Sequence, residues 1–373
     1  MDNEKLLSQT ISLLRFPLTL GIFFIHFYLA KIGLTIHGVT YGLNNPEWFL
    51  YINVYFSGIL TAVCVPFFFW ISGLLFFYKT DFSLPIYFKK LRRRFRSLFI
   101  PYILWNIIAV LWTAKIFIPI LSSLFTNASE IKLNLTFSGL LYTFIDNSKG
   151  LFILPDSLQP ATVLPADGPL WYVRDLMILV LCSPIIYWFI KKLKSFYLLF
   201  LYIVFLFFLP DNYFGLLLSS LLFFSWGAYY GINNIDVIAH FRRFKYAPVV
   251  FLFITVLDLA TYRTPINPII PKIGEPFGII SFIIIASWLL ESGKVKVNKT
   301  LANSSFFIFA LHTLILGDIA KVLFIAFGMP ENPYALLIFY FTVPLIVATI
   351  CLGIYLIIGY VTPLLCSLLT GGR

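Results

Sequence analysis

Arg15 and His26 are the two ionisable residues in the apolar stretch LLRFPLTLGIFFIHF, residues 13–27. They stand eleven positions apart. At about 100° per residue that spacing closes three turns plus about 20°, so a helix carries both on one face, roughly 16 Å apart along its axis. Ionisable groups inside an apolar span are rare and usually face the bundle interior or a watery cavity. Taken singly, Arg15 also suits a snorkelling anchor and His26 a hydrogen-bonded packing residue. Their shared face favours a functional cavity.

A second chemically pointed group is basic. YFKKLRRRFRSLFIPYILWN, residues 87–106, holds Arg92, Arg93 and Arg96, which helical spacing turns toward neighbouring surface. Clustered guanidinium groups suit phosphate, because each planar fork makes paired hydrogen bonds. Ordinary positive-inside charge is the competing explanation. Arginine density and the adjoining Pro101 put a specific anion site on an equal footing.

Three further stretches carry candidates. FFFWISGLLFFYK, 67–79, places Ser72 beside Gly73, small residues that let helices approach closely or line a cavity. GPLWYVRDLMILVLCSPII, 168–186, begins with Trp171 and Tyr172, which suit an interfacial aromatic belt. Its Arg174 and Asp175 are sequence neighbours that point in different directions, and both are expected to line a polar cavity. NSSFFIFALHTLILGDIAK, 303–321, holds His312, a catalytic group or a packing histidine, with Asp318 and Lys321 spaced for a local ion pair. His37 and His240 fall outside the apolar segments and receive no role. Cys64, Cys182, Cys351 and Cys366 sit in or beside apolar segments without a CxxC pair. That argues against a metal site or a disulfide framework.

Helices in a membrane must position these residues. The sequence is 60% hydrophobic and 12% charged, with mean hydropathy +0.92; soluble domains are about 45–50% apolar and about 25% charged. Apolar runs of about 20 residues recur, each long enough to cross a hydrocarbon core as a helix. Their continuity excludes a barrel of alternating strands. The expected fold is an all-α polytopic bundle of about ten helices. Spans are predicted at 11–30, 54–78, 97–118, 169–190, 196–209, 214–232, 247–261, 276–291, 302–327 and 334–360.

Every second connection is basic: KKLRRRFR at 89–96, KKLK at 191–194, RRFK at 242–245 and KVKVNK at 294–299. The alternation predicts cytoplasmic placement for these connections and for both termini. The net charge of +11 is then explained by topology and anionic lipid headgroups, and no nucleic-acid motif accompanies it. MDNEKLL at the start lacks a strongly basic n-region, so the first apolar segment reads as a retained helix. The two long opposite connections, 31–53 and 119–168, suit lids and binding surfaces as well as tolerated insertions. Without an internal repeat or a separate soluble segment, residues 1–373 read as one membrane domain.

In this order the stretches resemble the membrane acyltransferase-3 family, polytopic bacterial proteins, typically of ten helices, that move acyl groups onto cell-surface glycans and related acceptors. Arg15 and His26 match its Arg-x10-His pattern, and WISGLLF is similar to its Ser-Gly motif. Arg93 and Arg96 match its Arg-x-x-Arg motif, PLWYVRDLMIL its Trp-led fourth segment, and FIFALHTLIL its late histidine-bearing helix. The resemblance covers nearly the whole chain. It implies transfer of an acyl group, acetyl foremost, from cytoplasmic acyl-CoA (acetyl-CoA) to a hydroxyl of a glycan or lipid-linked sugar outside the bacterial inner membrane. His26 matches the family's catalytic histidine, and the arginine pair is associated with donor binding.

The residues accommodate that chemistry. Arg92, Arg93 and Arg96 can hold coenzyme A phosphates, and the thioester arm would pass Arg15. Neutral His26 could act as general base or become acylated itself; both routes stay open. No metal is required. Some family members carry a fused extracellular hydrolase-like domain. The sequence ends at Arg373, soon after its last span, so none is expected, and a separate extracellular transferase could take over the acyl group. The rival reading is a transporter or flippase without chemistry, since intramembrane charges also mark transport paths. Repeated halves and paired broken helices, which would favour it, are not visible.

Overall fold

Apolar segments that cannot hydrogen-bond to water satisfy their backbone internally. Helix accordingly dominates the computed structural model, which describes residues 2–36, 39–79, 82–114, 132–153, 163–207, 213–328 and 332–372. Six helical stretches are long and apolar enough to cross a membrane: Asn3–Lys31, Glu47–Phe77, Leu84–Thr113, Asn267–Glu291, Lys299–Ala326 and Pro333–Val361. A seventh candidate is a pair of helices bent by 63°. Its second member opens with Pro184, which lacks the N–H needed to continue the ladder. The other predicted spans fall on shorter apolar helices: Ser195–Phe207, Leu216–Ile232 and Ala247–Ala260. Large apolar side chains face outward, Phe196 at 75% exposure and Tyr360 at 89%. Such surfaces belong against lipid.

The chain divides into two compact units, each drawn from three segments. The first comprises Met1–Ile22, Gly58–Phe95 and Asp175–Ser305. It includes most of α1 (Asn3–His26) and all of α2 (Cys64–Phe77) and α3 (Leu84–Arg94). Further along come most of α6 (Trp171–Leu181) and all of α7 (Ser183–Leu193), α8 (Tyr213–Ile232), α9 (Ala247–Ala260) and α10 (Ile270–Glu291). Helices α2 and α8 cross almost backbone to backbone. A Cβ added at Gly73 would overlap the Phe224 carbonyl oxygen, and one at Gly227 would overlap that of Trp70. Trp70 packs with Trp226, Tyr230 and Phe241 at ring separations of 5.7–6.1 Å. Helix α3 is tied down by Lys90 Nζ donating to the Phe76 carbonyl, and by the Tyr87 hydroxyl donating to the Leu181 carbonyl at 3.1 Å.

The second unit comprises Phe23–Ser57, Arg96–Arg174 and Phe306–Arg373. It contains α4 (Ile100–Thr113), α5 (Phe137–Thr143), most of α11 (Lys299–Ala326), and α12 (Pro333–Val361). Two antiparallel hairpins qualify the all-α expectation: β1 (Leu34–Ile36) with β2 (Val39–Tyr41), and β3 (Lys132–Leu133) with β4 (Phe152–Ile153). One pair lies in each of the two long connections, which also carry the helices Glu47–Asn53 and α5. His37 and most of LPDSLQPATVLPADGP lie outside the described residues. The described remainder is anchored: Tyr102 donates to the Phe144 carbonyl, Asn147 N–H to Leu164 O at 2.7 Å, and Ala166 N–H to Thr143 O at 2.9 Å. Trp105 Nε1 donates to Leu369 O at 3.0 Å, and a buried hydrogen bond of 2.6 Å joins Ser57 and Tyr340.

Candidate active site

Helix α1 runs unbroken through Arg15 to its last residue, His26. There His26 is exposed. Its ring centroid lies 5.2 Å from that of His312, at an interplanar angle of 57°. His312 itself is fully buried. One turn before His26, Phe23 stacks on His312 at 4.5 Å and 20°. One turn before His312, Phe309 lies at 6.0 Å and 36°. The site thus pairs an accessible imidazole with a clamped one.

The tautomer of His312 follows from its partner. Nδ1 is 2.5 Å from the Phe309 carbonyl oxygen. A carbonyl can only accept, so in a neutral ring Nδ1 carries the hydrogen and Nε2 keeps its lone pair. That Nε2 is buried without a hydrogen-bond partner among the described residues. A buried polar atom left unsatisfied costs about 1–3 kcal/mol, so this one is a strong candidate for use.

A second buried polar group sits beside α11. Asp167 directly precedes the 3₁₀ turn Gly168–Leu170 that leads into α6. Its N–H donates to Asn106 Oδ1 at 3.0 Å, and its Oδ1 accepts from the Thr313 hydroxyl at 3.4 Å. Oδ2 has no partner among the described residues. Asn106 is in turn held by its own Nδ2 donating to Tyr102 O. Burial raises the Asp167 carboxyl well above the usual carboxylate range, and the Thr313 hydrogen bond opposes this more weakly. Thr313 adjoins His312 on α11, so the histidine turn and the start of α6 are joined through this carboxyl.

The other expected residues have different settings. Arg15, half-buried, belongs to the first unit with Arg92, Arg93, Ser72, Gly73 and Asp175. Arg92 and Arg93 are exposed on α3, and Arg96 is exposed on the π-helical turn Phe95–Phe99 leading into α4. Ser72 is half-buried; Gly73 belongs to the α2–α8 crossing, where a side chain would overlap backbone. Trp171 is half-buried, and Tyr172 meets Phe309 edge-on at 6.0 Å. Arg174 is buried, and its Nη1 donates to two loop carbonyls, Ile145 at 2.8 Å and Val163 at 3.1 Å. These bonds hold the long connection against α6. Asp175 is also buried.

Sequence reasoning overlooked Asp167, Thr313, Phe23 and Phe309. Asp167 carried a usable signal: an acidic residue immediately before Gly-Pro at a helix start suits a fixed helix entrance rather than a mobile insertion. The aromatic residues one turn before each histidine resemble ordinary apolar filling in a sequence this rich in phenylalanine. Among the described residues, no three His, Cys, Asp or Glu side chains converge as metal ligands.

A multi-pass helical membrane protein with a histidine pair at the end of its first helix is the class these features define. The family model described as an acyltransferase domain, acyltransferase-3, matches residues 9–358. The chain belongs to that family and is an O-acyltransferase-type enzyme. It is also similar to the succinoglycan biosynthesis protein ExoH of Rhizobium meliloti (strain 1021), with 27% identity over 399 aligned residues. That alignment covers 98% of this chain and 92% of the relative. No solved structure matches the chain.

Proposed function

We propose that the enzyme transfers an acyl group, acetyl foremost, from acyl-CoA to a hydroxyl of a cell-surface glycan or lipid-linked sugar, in the bacterial inner membrane. The observation carrying this reading is an accessible His26, backed by a buried imidazole, in a chain of the acyltransferase-3 family. A relative named for succinoglycan biosynthesis favours a polysaccharide or its lipid-linked precursor as acceptor.

In the general-base route, a ring nitrogen of His26 takes the acceptor hydroxyl proton while the oxygen attacks the thioester carbon. The tetrahedral adduct collapses, the carbon–sulfur bond breaks, and the departing thiolate receives the proton from imidazolium. The products are the ester and free coenzyme A. In the covalent route, the His26 nitrogen attacks the thioester carbon first, the carbon–sulfur bond breaks and coenzyme A leaves as thiolate. The acceptor hydroxyl then attacks the acyl-imidazole, the carbon–nitrogen bond breaks, and the hydroxyl proton passes through the freed imidazole to the thiolate. Both routes give the same products. Arg92, Arg93 and Arg96 are assigned to the donor phosphates by their charge and fork geometry, and Arg15 to the thioester arm. Ser72, Trp171 and Asp175 are assigned to lining roles, and Gly73, Arg174 and His312 to support: Gly73 keeps the α2–α8 crossing close, Arg174 holds the long connection, and His312 stands behind His26.

The test uses full-length protein in lipid nanodiscs with labelled acetyl-CoA and an envelope-glycan extract from a strain lacking the gene. Wild type should transfer label to glycan, and His26→Ala should abolish transfer at unchanged protein abundance. Transfer by His26→Ala at the wild-type rate would remove His26 from the chemistry. Mass spectrometry of the surface glycan with and without the gene then identifies the acceptor by a missing acyl increment.

A further inference from the structure

We infer that His312 is a positioning residue for His26, its Nε2 accepting a hydrogen bond from the His26 ring N–H during transfer. This rests on the reading of His26 as the reacting imidazole. Four observations converge on it. The Phe309 carbonyl fixes the proton of His312 on Nδ1, which leaves Nε2 as an acceptor. That atom is buried and without a partner among the described residues. The ring centroids are 5.2 Å apart, a separation at which facing nitrogens of two imidazoles come within about 3 Å, hydrogen-bond distance. Finally, the two rings differ in freedom. His312 is fully buried between Phe23 and Phe309, whereas His26 is exposed at a helix end.

The bond forms when the His26 ring turns about Cβ–Cγ so that one N–H faces Nε2 of His312. The other ring nitrogen of His26 is then the unprotonated one, turned away from His312 and toward the reactants. It can take a hydroxyl proton or attack the thioester, so the device serves either route. Once His26 becomes an imidazolium, or an acyl-imidazolium, the hydrogen bond to Nε2 stabilises its positive charge. A neutral acceptor does this without burying a counter-charge, which an apolar interior would penalise. His312 thus acts through His26 and touches no substrate.

The experiment compares His312→Phe, which keeps a ring and loses the acceptor, with His312→Gln, whose side-chain oxygen accepts. Full-length variants in nanodiscs are assayed with labelled acetyl-CoA and the envelope-glycan extract. His312→Phe should lower kcat about tenfold or more, the loss of one transition-state hydrogen bond, with KM for acetyl-CoA within about twofold. His312→Gln should recover most of the loss. In a His26→Ala background, His312→Phe should remove no further activity. Should His312→Phe fail to accumulate, His312→Leu, which is apolar and also lacks an acceptor, replaces it in the same comparison. Equal losses in the acceptor-free and glutamine variants, an unchanged kcat, or an additive loss in the His26→Ala background overturns the inference. The two readings fail separately. Full transfer by His26→Ala defeats the catalytic assignment of His26. A dead His26→Ala with an unimpaired His312→Phe defeats the positioning role alone.

Discussion

At the α2–α8 crossing in the first unit, Gly73 and Gly227 remove side chains so that two backbones touch. At the end of α1 in the second unit, aromatic rings surround a histidine whose Nε2 lacks a partner among the described residues. Both are helix contacts within a chain 60% hydrophobic. The glycine crossing gains dispersion contact from close approach and leaves no polar demand at the two glycines, so it serves stability. The histidine contact holds an unsatisfied acceptor in the interior at an energetic cost, as a site prepared for reaction does. A substitution at the first should change how much protein folds. A substitution at the second should change what the folded protein does.

The largest expected effect separates the two at once. His26→Ala should reduce transfer by about 10²–10⁴-fold, the range associated with a lost general acid–base group, while yield and melting temperature hold. A parallel fall in yield would place His26 with the structural contacts instead. Next, Gly73→Leu should prevent accumulation of folded protein, since its side chain would meet the Phe224 backbone. Gly73→Ala should be destabilising by about 1–3 kcal/mol through overpacking, with activity per folded molecule preserved. Fluorescence size-exclusion profiles and thermal melts provide the readout; a normal melt for Gly73→Leu would contradict the close crossing.

A smaller effect concerns the exposed arginines. The double variant Arg93→Ala, Arg96→Ala should raise KM for acetyl-CoA about tenfold, with little change in kcat, if charge-assisted contacts hold the donor in ground and transition states alike. An unchanged donor dependence would return these residues to topology alone. The smallest effect is at Asp167, whose carboxyl is raised by burial. A raised carboxyl binds more protons folded than unfolded, so its contribution to stability falls as pH rises above the unfolded value near about 4. Asp167→Asn keeps an acceptor for Thr313 and removes this titration. Its melting temperature should match wild type near pH 4 and exceed it by about 2–4 °C at pH 8. A difference independent of pH would show that the carboxyl is not held protonated.

Much of this architecture was legible locally. Hydropathy and length placed the described parts of the predicted segments largely on helices, because in lipid a backbone must satisfy itself. The calculation that put Arg15 and His26 on one face needs only helix pitch, and α1 runs through both residues. The connection 119–168 was less legible. Its described residues fold around Arg174, whose hydrogen bonds run to carbonyls 11 and 29 positions away; the sequence alone points to a polar cavity lining for Arg174 and names no partner for it. A guanidinium's partners depend on which loop returns to it, and residue spacing does not encode that return.

By itself the sequence determined a membrane-embedded helical acyltransferase: apolar run length, alternating basic connections and the order of short motifs are local properties readable along one chain. Tertiary structure decided that His26 meets His312, that Phe23 and Phe309 hold the second ring, and that Thr313 reaches Asp167, 146 positions away. Helical periodicity says which face a residue occupies and nothing about which distant helix that face meets. Bringing the end of α1 beside α11 is a matter of packing, and that packing sets His312, which the sequence left open between catalysis and packing, against His26.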